Sequence, residues 1–122
     1  MKKALIVDDD LIFQMIATKM IQKAGLDGSP KTFVNGKVAL EYLLSELPDP
    51  SEIIIFLDIN MPVMDGWEFL DQLQSNEQLQ AYRVIMVTSS TNDSDRQKAK
   101  SYAQISDFFI KPLNIEQLQA LV

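Results

Sequence analysis

Polar side chains that are able to do chemistry stand directly after short apolar runs of this 122-residue chain. They are carboxylates, hydroxyls and one lysine: Asp8, Asp9, Asp10, Asp58, Thr88, Ser89, Ser90 and Lys111. Carboxylates gathered in one cleft repel one another, because each negative charge raises the pKa of its neighbours. A hard divalent cation relieves that repulsion, and magnesium fits best because it takes a few carboxylates and keeps several waters. The residue types therefore predict an acidic site that binds magnesium.

Asp58 is the carboxylate best isolated as a nucleophile, because it stands alone at the end of the most apolar run. Formation of an aspartyl phosphate needs such a nucleophile, a metal that neutralises phosphoryl oxygens, a hydroxyl donor and a fixed cation. Asp8 and Asp9, Thr88 and Lys111 supply those parts from other runs. The pattern therefore favours phosphoryl transfer to an aspartate.

The composition excludes several other kinds of chemistry. The chain contains no cysteine and no histidine, which removes disulfides, zinc–thiolate sites, Ser-His-Asp triads and histidine proton shuttles. A formal net charge of −6 argues against DNA or RNA as a direct partner. The phosphate-binding patterns GxGxxG and GxxxxGK[ST] are also absent after every apolar run, which argues against a nucleotide-dependent enzyme.

The start of the chain resembles a signal peptide only briefly. The apolar run that follows Met1-Lys2-Lys3 stops at three aspartates, far short of a secretory apolar region. No window approaches the ~18 apolar residues of a transmembrane helix. We therefore expect a soluble protein, without a membrane partner, in the cytoplasm.

The elements that must position the polar residues alternate along the chain. Apolar runs predict strands at 3–7, 31–34, 53–57, 83–87 and 107–110. Segments of helical period predict helices at 11–24, 37–47, 67–75, 93–103 and from an N-cap at Asn114 to the chain end. Such alternation is typical of an α/β fold, a doubly wound parallel sheet with helices on both faces. Ligands bind at the carboxyl ends of the strands in such folds, which is where the polar residues stand.

The first predicted helix has an apolar stripe made by Ile12, Met15, Ile16 and Met20. Their spacing follows one helical face, and we expect the two methionines to be packing residues rather than ligands. On the last strand, Phe108 and Phe109 alternate across the sheet. One of them must be core, and periodicity alone does not decide which.

Ordinary structural roles are the alternatives to these functional interpretations. Asp8 and Asp9 suit a turn or a helix N-cap, and we expect Asp10 to act only as an N-cap. Thr88 alone is compatible with a strand end, and Lys111 alone with a solvated side chain. The joint pattern favours the functional interpretation of all except Asp10.

Four motifs occur in order over essentially the whole chain: Val7-Asp8-Asp9, the ten residues from Leu57 to Gly66, Val87-Thr88-Ser89 and Lys111-Pro112-Leu113. Together they closely resemble the receiver domain of two-component response regulators. The resemblance implies a flavodoxin-like fold of five βα units, with a five-stranded parallel sheet in the order 2-1-3-4-5. It also implies that Asp58 is the phosphoacceptor.

The same resemblance assigns a metal site. Asp9 would ligate Mg²⁺ directly and Asp8 mostly through water. Asp58 would be the third carboxylate that binds the metal. The backbone carbonyl of Asn60 would be a further ligand.

It also assigns a switch. Thr88 would be the switch hydroxyl, and Lys111 would pair with the phosphoryl group and precede Pro112 through a cis peptide bond. Phe108 falls at the aromatic switch position. Ser89 stands where the family usually has a smaller residue, which would narrow access to the phosphoryl group.

The implied partners are proteins. The donor would be the phosphohistidine of a sensor histidine kinase or histidine phosphotransfer protein. The output would be a downstream protein target, bound through the face made by the fourth helix, last strand and last helix, with the domain a monomer or a weak phosphorylation-dependent dimer. We expect the protein to catalyse only its own phosphorylation and dephosphorylation, and no reaction of another substrate. We also expect residues 1–122 to form one receiver domain without an output domain, with a trimmed end or a fragment of a longer regulator as alternatives.

Two other functions share parts of this pattern. A haloacid-dehalogenase-like phosphohydrolase also uses a strand-end Asp, magnesium and a Lys, but it needs a second Asp where this chain has Asn60. A non-phosphorylated interaction module would keep only the fold, and the complete acidic set with Thr88 and Lys111 argues against it.

Overall fold

The computed structural model of the chain describes residues 2–122. Within this range five β-strands alternate with five α-helices, and a short 3-10 turn at Pro50–Glu52 precedes the third strand. The elements are β1 (Lys3–Val7), α1 (Leu11–Ala24), β2 (Lys31–Phe33), α2 (Gly36–Glu46), β3 (Ile53–Leu57), α3 (Gly66–Ser75), β4 (Arg83–Thr88), α4 (Asp93–Ala99), β5 (Ile105–Ile110) and α5 (Ile115–Gln119).

The five strands form one parallel sheet in the order β2-β1-β3-β4-β5. The flavodoxin-like 2-1-3-4-5 arrangement expected from the sequence is therefore confirmed. All five residues of the central strand β3 are buried, which explains why this strand is apolar on both faces. The strand order reverses between β1 and β3, and ligands of such sheets bind at this switch point.

Strand register sets the ends of β1 and β3 side by side. Val7 pairs with Leu57 at the last position of both strands. The Asp58 amide then donates a 3.0 Å hydrogen bond to the Val7 carbonyl, and the Asp8 amide donates one of 3.0 Å to the Phe33 carbonyl. Asp8 and Asp58 therefore leave the sheet together.

Alternate strand residues pack into two separate cores, one on each face of the sheet. Leu5, Ile55 and Leu57 face a core that includes side chains of α2, α3 and α4. Ile6 and Phe56 face the other core, which includes side chains of α1 and α5. No helix within residues 2–122 combines the length and apolar composition needed to cross a bilayer.

Several predicted boundaries were wrong by a few residues. Helix α4 ends at Ala99 rather than at residue 103, because the next residues turn and bury Tyr102 instead. The Tyr102 carbonyl then accepts the Ile105 amide, so β5 begins two residues earlier than predicted. Smaller differences are that β2 ends at residue 33, α2 spans 36–46, α3 begins at 66, β4 reaches 88 and α5 ends at 119.

Helix α1 corrects the expectation that Met15 is a packing residue. Its buried residues are Gln14, Ala17 and Ile21, while Ile12, Met15 and Ile16 are 50–68% exposed. At about 100° per residue, Ile12 and Ile16 lie roughly opposite the buried side. The helix is apolar on more than one side, and the narrow side facing β1 and β3 is the one that packs.

Candidate functional site

The three aspartates after β1 divide into different environments. Asp8 is only 1% exposed, while Asp9 and Asp10 are exposed. The Asp10 carboxylate accepts the amides of Ile12 and Phe13, so its predicted N-cap role is confirmed. Asp10, and not Asp8 or Asp9, is therefore the N-cap of α1.

Three carboxylates converge at the switch point of the sheet. Asp8, Asp9 and Asp58 each place an oxygen within 4.8 Å of the others. Asp8 and Asp58 are buried, and Asp9 is exposed. Asn60, two residues beyond Asp58, is exposed.

Lys111 reaches this acidic cluster from the end of β5. Its Nζ atom lies 2.8 Å from Asp8 Oδ2 and 3.6 Å from Asp58 Oδ2. Burial alone would lower the pKa of Lys111, but the hydrogen bond to Asp8 and the negative charges of Asp58 and Asp8 raise it above its ordinary value. The ammonium is therefore charged at neutral pH.

The pKa of the Asp58 carboxyl is raised above its ordinary value. Burial is the larger cause, and the charge of Asp8 adds to it. The charge of Lys111, the hydrogen bond from the Ile59 amide and the nearby Thr88 hydroxyl lower this pKa without cancelling the rise. A second positive charge among the carboxylates would oppose both causes, so the set of oxygen donors fits a hard divalent cation.

Hydroxyl residues at the C-terminal end of β4 and just after it connect the site with α4. Thr88 is fully buried, and its Oγ1 accepts the Ser90 amide at 3.2 Å. The Ser90 hydroxyl in turn donates a 2.7 Å hydrogen bond to Asp95 Oδ2 on α4. Ser89 is exposed between them. Two hydrogen bonds therefore connect Thr88 with α4 through Ser90.

Phe108 and Phe109 take opposite sides of β5. Phe109 is 4% exposed and belongs to the core beside α1 and α5. Phe108 is half-buried, with the Arg96 guanidinium of α4 5.4 Å from the centre of its ring. The structure thereby decides the choice that periodicity left open. Just beyond the C-terminal end of β5, Pro112 is exposed and follows Lys111 through a cis peptide bond.

Gln14 and Gly66 support the site through contacts that the sequence patterns did not predict. The buried Gln14 side chain donates hydrogen bonds to the carbonyls of Asp8 (2.7 Å) and Phe33 (3.2 Å). Gly66 donates its amide to the Ile59 carbonyl at 2.8 Å, which draws the start of α3 against the end of β3. The position of Gln14, four residues after the N-cap Asp10, could have indicated this contact. Side chains of a helix tilt toward its N-terminus, so a residue in the first turn is directed back to the end of β1.

Comparisons with known proteins agree with this geometry. The family model described as response regulator receiver domain matches residues 4–122. The probable methanogenesis regulatory protein FilR2 of Methanothrix harundinacea is 32% identical over 120 residues, covering 97% of this chain and 77% of that protein. The DNA-binding transcriptional regulator NtrC of Escherichia coli is 34% identical over 119 residues, covering 96% of this chain but 23% of that protein.

Solved structures give the same result. A response regulator receiver protein from Dyadobacter fermentans superposes with a TM-score of 0.86 at 29% identity, covering 99% of this chain and 94% of that one. The chemotaxis protein CheY4 of Vibrio cholerae gives a TM-score of 0.79 at 28% identity, covering 99% and 95%. Fold, sequence and acidic cluster therefore lead to one assignment. The chain belongs to the family of response regulator receiver domains, the signalling modules of two-component systems.

Proposed function

We propose that this receiver domain accepts a phosphoryl group on Asp58 from the phosphohistidine of a sensor histidine kinase or a histidine phosphotransfer protein. The observation that carries the proposal is the setting of Asp58, a buried carboxylate at the end of the central strand, beside Asp8 and 3.6 Å from the Lys111 ammonium. The donor histidine belongs to the partner, since this chain contains no histidine.

In the proposed step an Oδ atom of Asp58 forms a bond to phosphorus while the bond from phosphorus to the donor imidazole nitrogen breaks. The electron pair of the broken bond stays on the imidazole. Lys111 pairs with a phosphoryl oxygen as its charge develops, because a compact ammonium next to the nucleophile is suited to that role. Thr88 donates its hydroxyl to another phosphoryl oxygen.

Magnesium is the proposed cofactor. Asp8, Asp9 and Asp58 would hold it together with the backbone carbonyl of Asn60, and the mutual approach of the three carboxylates to within 4.8 Å supports this. When bound, it supplies positive charge that neutralises the phosphoryl oxygens. The carboxylate oxygens are oriented toward one another because their residues follow directly after the ends of β1 and β3.

We propose that the output surface is the face made by α4, β5 and α5, and that a downstream protein binds there. Thr88 would move toward the phosphoryl group and would pull Ser90 and Asp95 with it through their hydrogen bonds. The Phe108 ring would turn inward, below Arg96. A groove of about 370 Å³ between α4 and β5, lined in part by Arg96 and Phe108, supports this surface. Ala99 is the only buried residue that α4 contributes, so α4 is held weakly.

The donor protein is proposed to cover the exposed apolar side of α1. The phosphohistidine must reach bonding distance of Asp58, so the surface that carries it must contact the rim of the site. Ile12, Ile16 and Pro112 line a groove at that rim, next to Lys111. An apolar helix surface around the donor histidine fits this rim, because Ile12 and Ile16 are 68% and 50% exposed.

Direct phosphorylation tests the proposal. The native protein is incubated with Mg²⁺ and acetyl phosphate, and intact mass is followed beside Asp58→Asn. We expect one added phosphoryl group on the native protein alone, and beryllofluoride with Mg²⁺ should change its amide NMR spectrum. Unchanged mass and spectra in the native protein would instead support an interaction module without phosphorylation.

A further inference from the structure

The Lys111 ammonium has a third neighbour besides Asp8 and Asp58. Its Nζ atom lies 4.2 Å from the centre of the Phe13 ring, so the cation stands close above an aromatic face. The two carboxylates lie 2.8 and 3.6 Å from the same atom. Three groups from three different elements therefore surround one ammonium.

Phe13 is itself held firmly at both its backbone and its side chain. Its amide donates a 3.2 Å hydrogen bond to the Asp10 carboxylate at the start of α1. Its half-buried ring packs against the core that contains Phe109 and Leu113. The ring therefore has a fixed position relative to the sheet.

A lysine side chain is flexible and its ammonium is strongly hydrated. Two carboxylates on one side of the cation attract it but leave its other side open to water. The negative face of an aromatic ring binds a cation and displaces water from that side. The Phe13 ring supplies this constraint, and the Lys111 ammonium is thereby restricted to the side where Asp58 lies.

Resting on the function proposed above, we propose that Phe13 is a positioning residue for phosphoryl transfer. It acts through Lys111, which its ring holds against Asp8 and beside Asp58. Phe13 itself touches neither the phosphoryl group nor the nucleophile. The aromatic face, rather than the volume of the side chain, is the property required.

Variants in which the negative face of the ring is progressively weakened distinguish this role from simple packing. Phe13 is replaced by phenylalanines with one, two and five ring fluorines, which weaken the negative face with little change in shape. The same replacements at Phe109, which lies in the same core and makes no cation contact within residues 2–122, provide the matched control. Phe13→Leu and Phe13→Tyr complete the set, since tyrosine keeps the aromatic face and leucine removes it.

Two readouts are measured. The first is the NMR shift of the Lys111 ε-methylene protons in the metal-free protein, which the ring displaces upfield if the ammonium lies above it. The second is the rate of phosphorylation by acetyl phosphate with Mg²⁺. We expect the upfield shift in the native protein, its loss in Phe13→Leu, and a rate about 3- to 10-fold slower in Phe13→Leu, with Phe13→Tyr restoring most of it.

The fluorinated series decides the proposal. A rate that falls stepwise with fluorination at Phe13, and stays flat at Phe109, supports the positioning role. Equal rates across the Phe13 series, or a native Lys111 methylene shift that matches Phe13→Leu, overturns it while the proposed function stands. A native protein that takes up no phosphoryl group overturns the proposed function, and the role of Phe13 with it.

Discussion

Gly66 lies directly against the backbone of the proposed phosphoacceptor, Asp58. A Cβ atom added at Gly66 would stand 2.5 Å from the Asp58 carbonyl oxygen and 3.0 Å from the Cα of Ile59. Both obstacles are backbone atoms, so neither can rotate away. A residue with a Cβ atom therefore fits at position 66 only if the first turn of α3 and the end of β3 move apart.

The variant Gly66→Ala tests this contact. Alanine favours a helix over glycine by roughly 1 kcal/mol, but the forced separation of two backbones costs about 1–3 kcal/mol or more. We expect a net loss of stability in urea unfolding, together with weaker Mg²⁺ binding as the Asp58 strand end shifts. Gly28→Ala is the matched control, because its added Cβ meets nothing within 4 Å, and it should be neutral. A stabilised Gly66→Ala would contradict the close contact.

Magnesium binding should depend on the carboxylates of the cluster and not on the adjacent cap. Asp9→Asn removes one proposed ligand charge, and we expect Mg²⁺ affinity to fall by at least about tenfold, or roughly 1.4 kcal/mol. Asp10→Asn should bind Mg²⁺ like the native protein, because asparagine also caps a helix. Titration followed by amide NMR measures both. Equal losses in the two variants would show a general charge effect instead of a site.

The metal-free protein should become more stable when Asp58 loses its charge. Because the pKa of folded Asp58 lies above the ordinary value of 3.8, the folded protein binds more protons than the unfolded chain above that value. Stability therefore falls as pH rises through the folded pKa. At pH 7 without metal, Asp58→Asn should gain on the order of 1 kcal/mol, a few degrees in melting temperature. The gain should shrink as pH falls toward 3.8 and vanish well below it, where the Asp58 carboxyl is protonated in both the folded and the unfolded chain.

Glu77→Gln is the control for that measurement, since Glu77 is exposed and far along the chain from the cluster. It removes one negative charge without relieving a buried one. Equal gains in the two variants would trace the effect to net charge rather than to the burial of Asp58.

The alkaline limit of stability should depend on Tyr102. Its hydroxyl donates a 2.8 Å hydrogen bond to Asp71, and its ring stacks on Trp67 at 5.6 Å. Burial, followed by Asp71, raises the pKa of Tyr102 from 10.0 to about 12. The unfolded chain thus loses this proton first, so the stabilisation is complete below pH 10 and is lost as pH rises toward 12.

Tyr102→Phe should cost about 1 kcal/mol at neutral pH and should flatten the decline between pH 10 and 12. Urea unfolding at several pH values measures this. Tyr42→Phe is the control, because the Tyr42 hydroxyl has no hydrogen-bond partner within the part of the chain that the structure describes. A decline of native steepness in Tyr102→Phe would assign the effect to other groups.

The loop after Asp58 stores backbone strain at Val63. This residue has φ +73° and is 74% exposed, a conformation that is costly for a β-branched side chain. Val63→Asn should stabilise the domain by about 1 kcal/mol, because asparagine tolerates the left-handed region and little apolar burial is lost. Val34→Asn is the control, as Val34 is exposed without positive φ. An equal change in both variants would show no strain at Val63.

Most of the site was predictable because parallel strands put their ends at one edge of the sheet. The apolar runs located β1, β3, β4 and β5 to within a few residues, and the polar residues that follow them needed no tertiary information to be grouped. Asp10 and Asn114 were also predictable as N-caps, because capping is a local interaction between a side chain and the next turn.

The orientation of α1 was not predictable in the same way. Periodicity favoured Ile12, Met15, Ile16 and Met20 as one apolar stripe. The first three are exposed, and only Met20 packs against a core. The buried side carries Gln14, whose hydrogen bonds to the carbonyls of Asp8 and Phe33 join residues distant in sequence. When a helix is apolar on several sides, the side that packs on the sheet is the one whose small and polar side chains fit the sheet surface.

The sequence by itself determined the order of the elements, the sheet they form and the group of carboxylates, hydroxyl and lysine at its edge. These follow from local patterns and from the geometry shared by all parallel sheets. Only the tertiary structure decided that Phe13 lies under the Lys111 ammonium, that Gly66 lies against Asp58, and that Phe109 rather than Phe108 is core. Each of these depends on the distance and rotation between elements that are far apart in the chain, which no local pattern encodes.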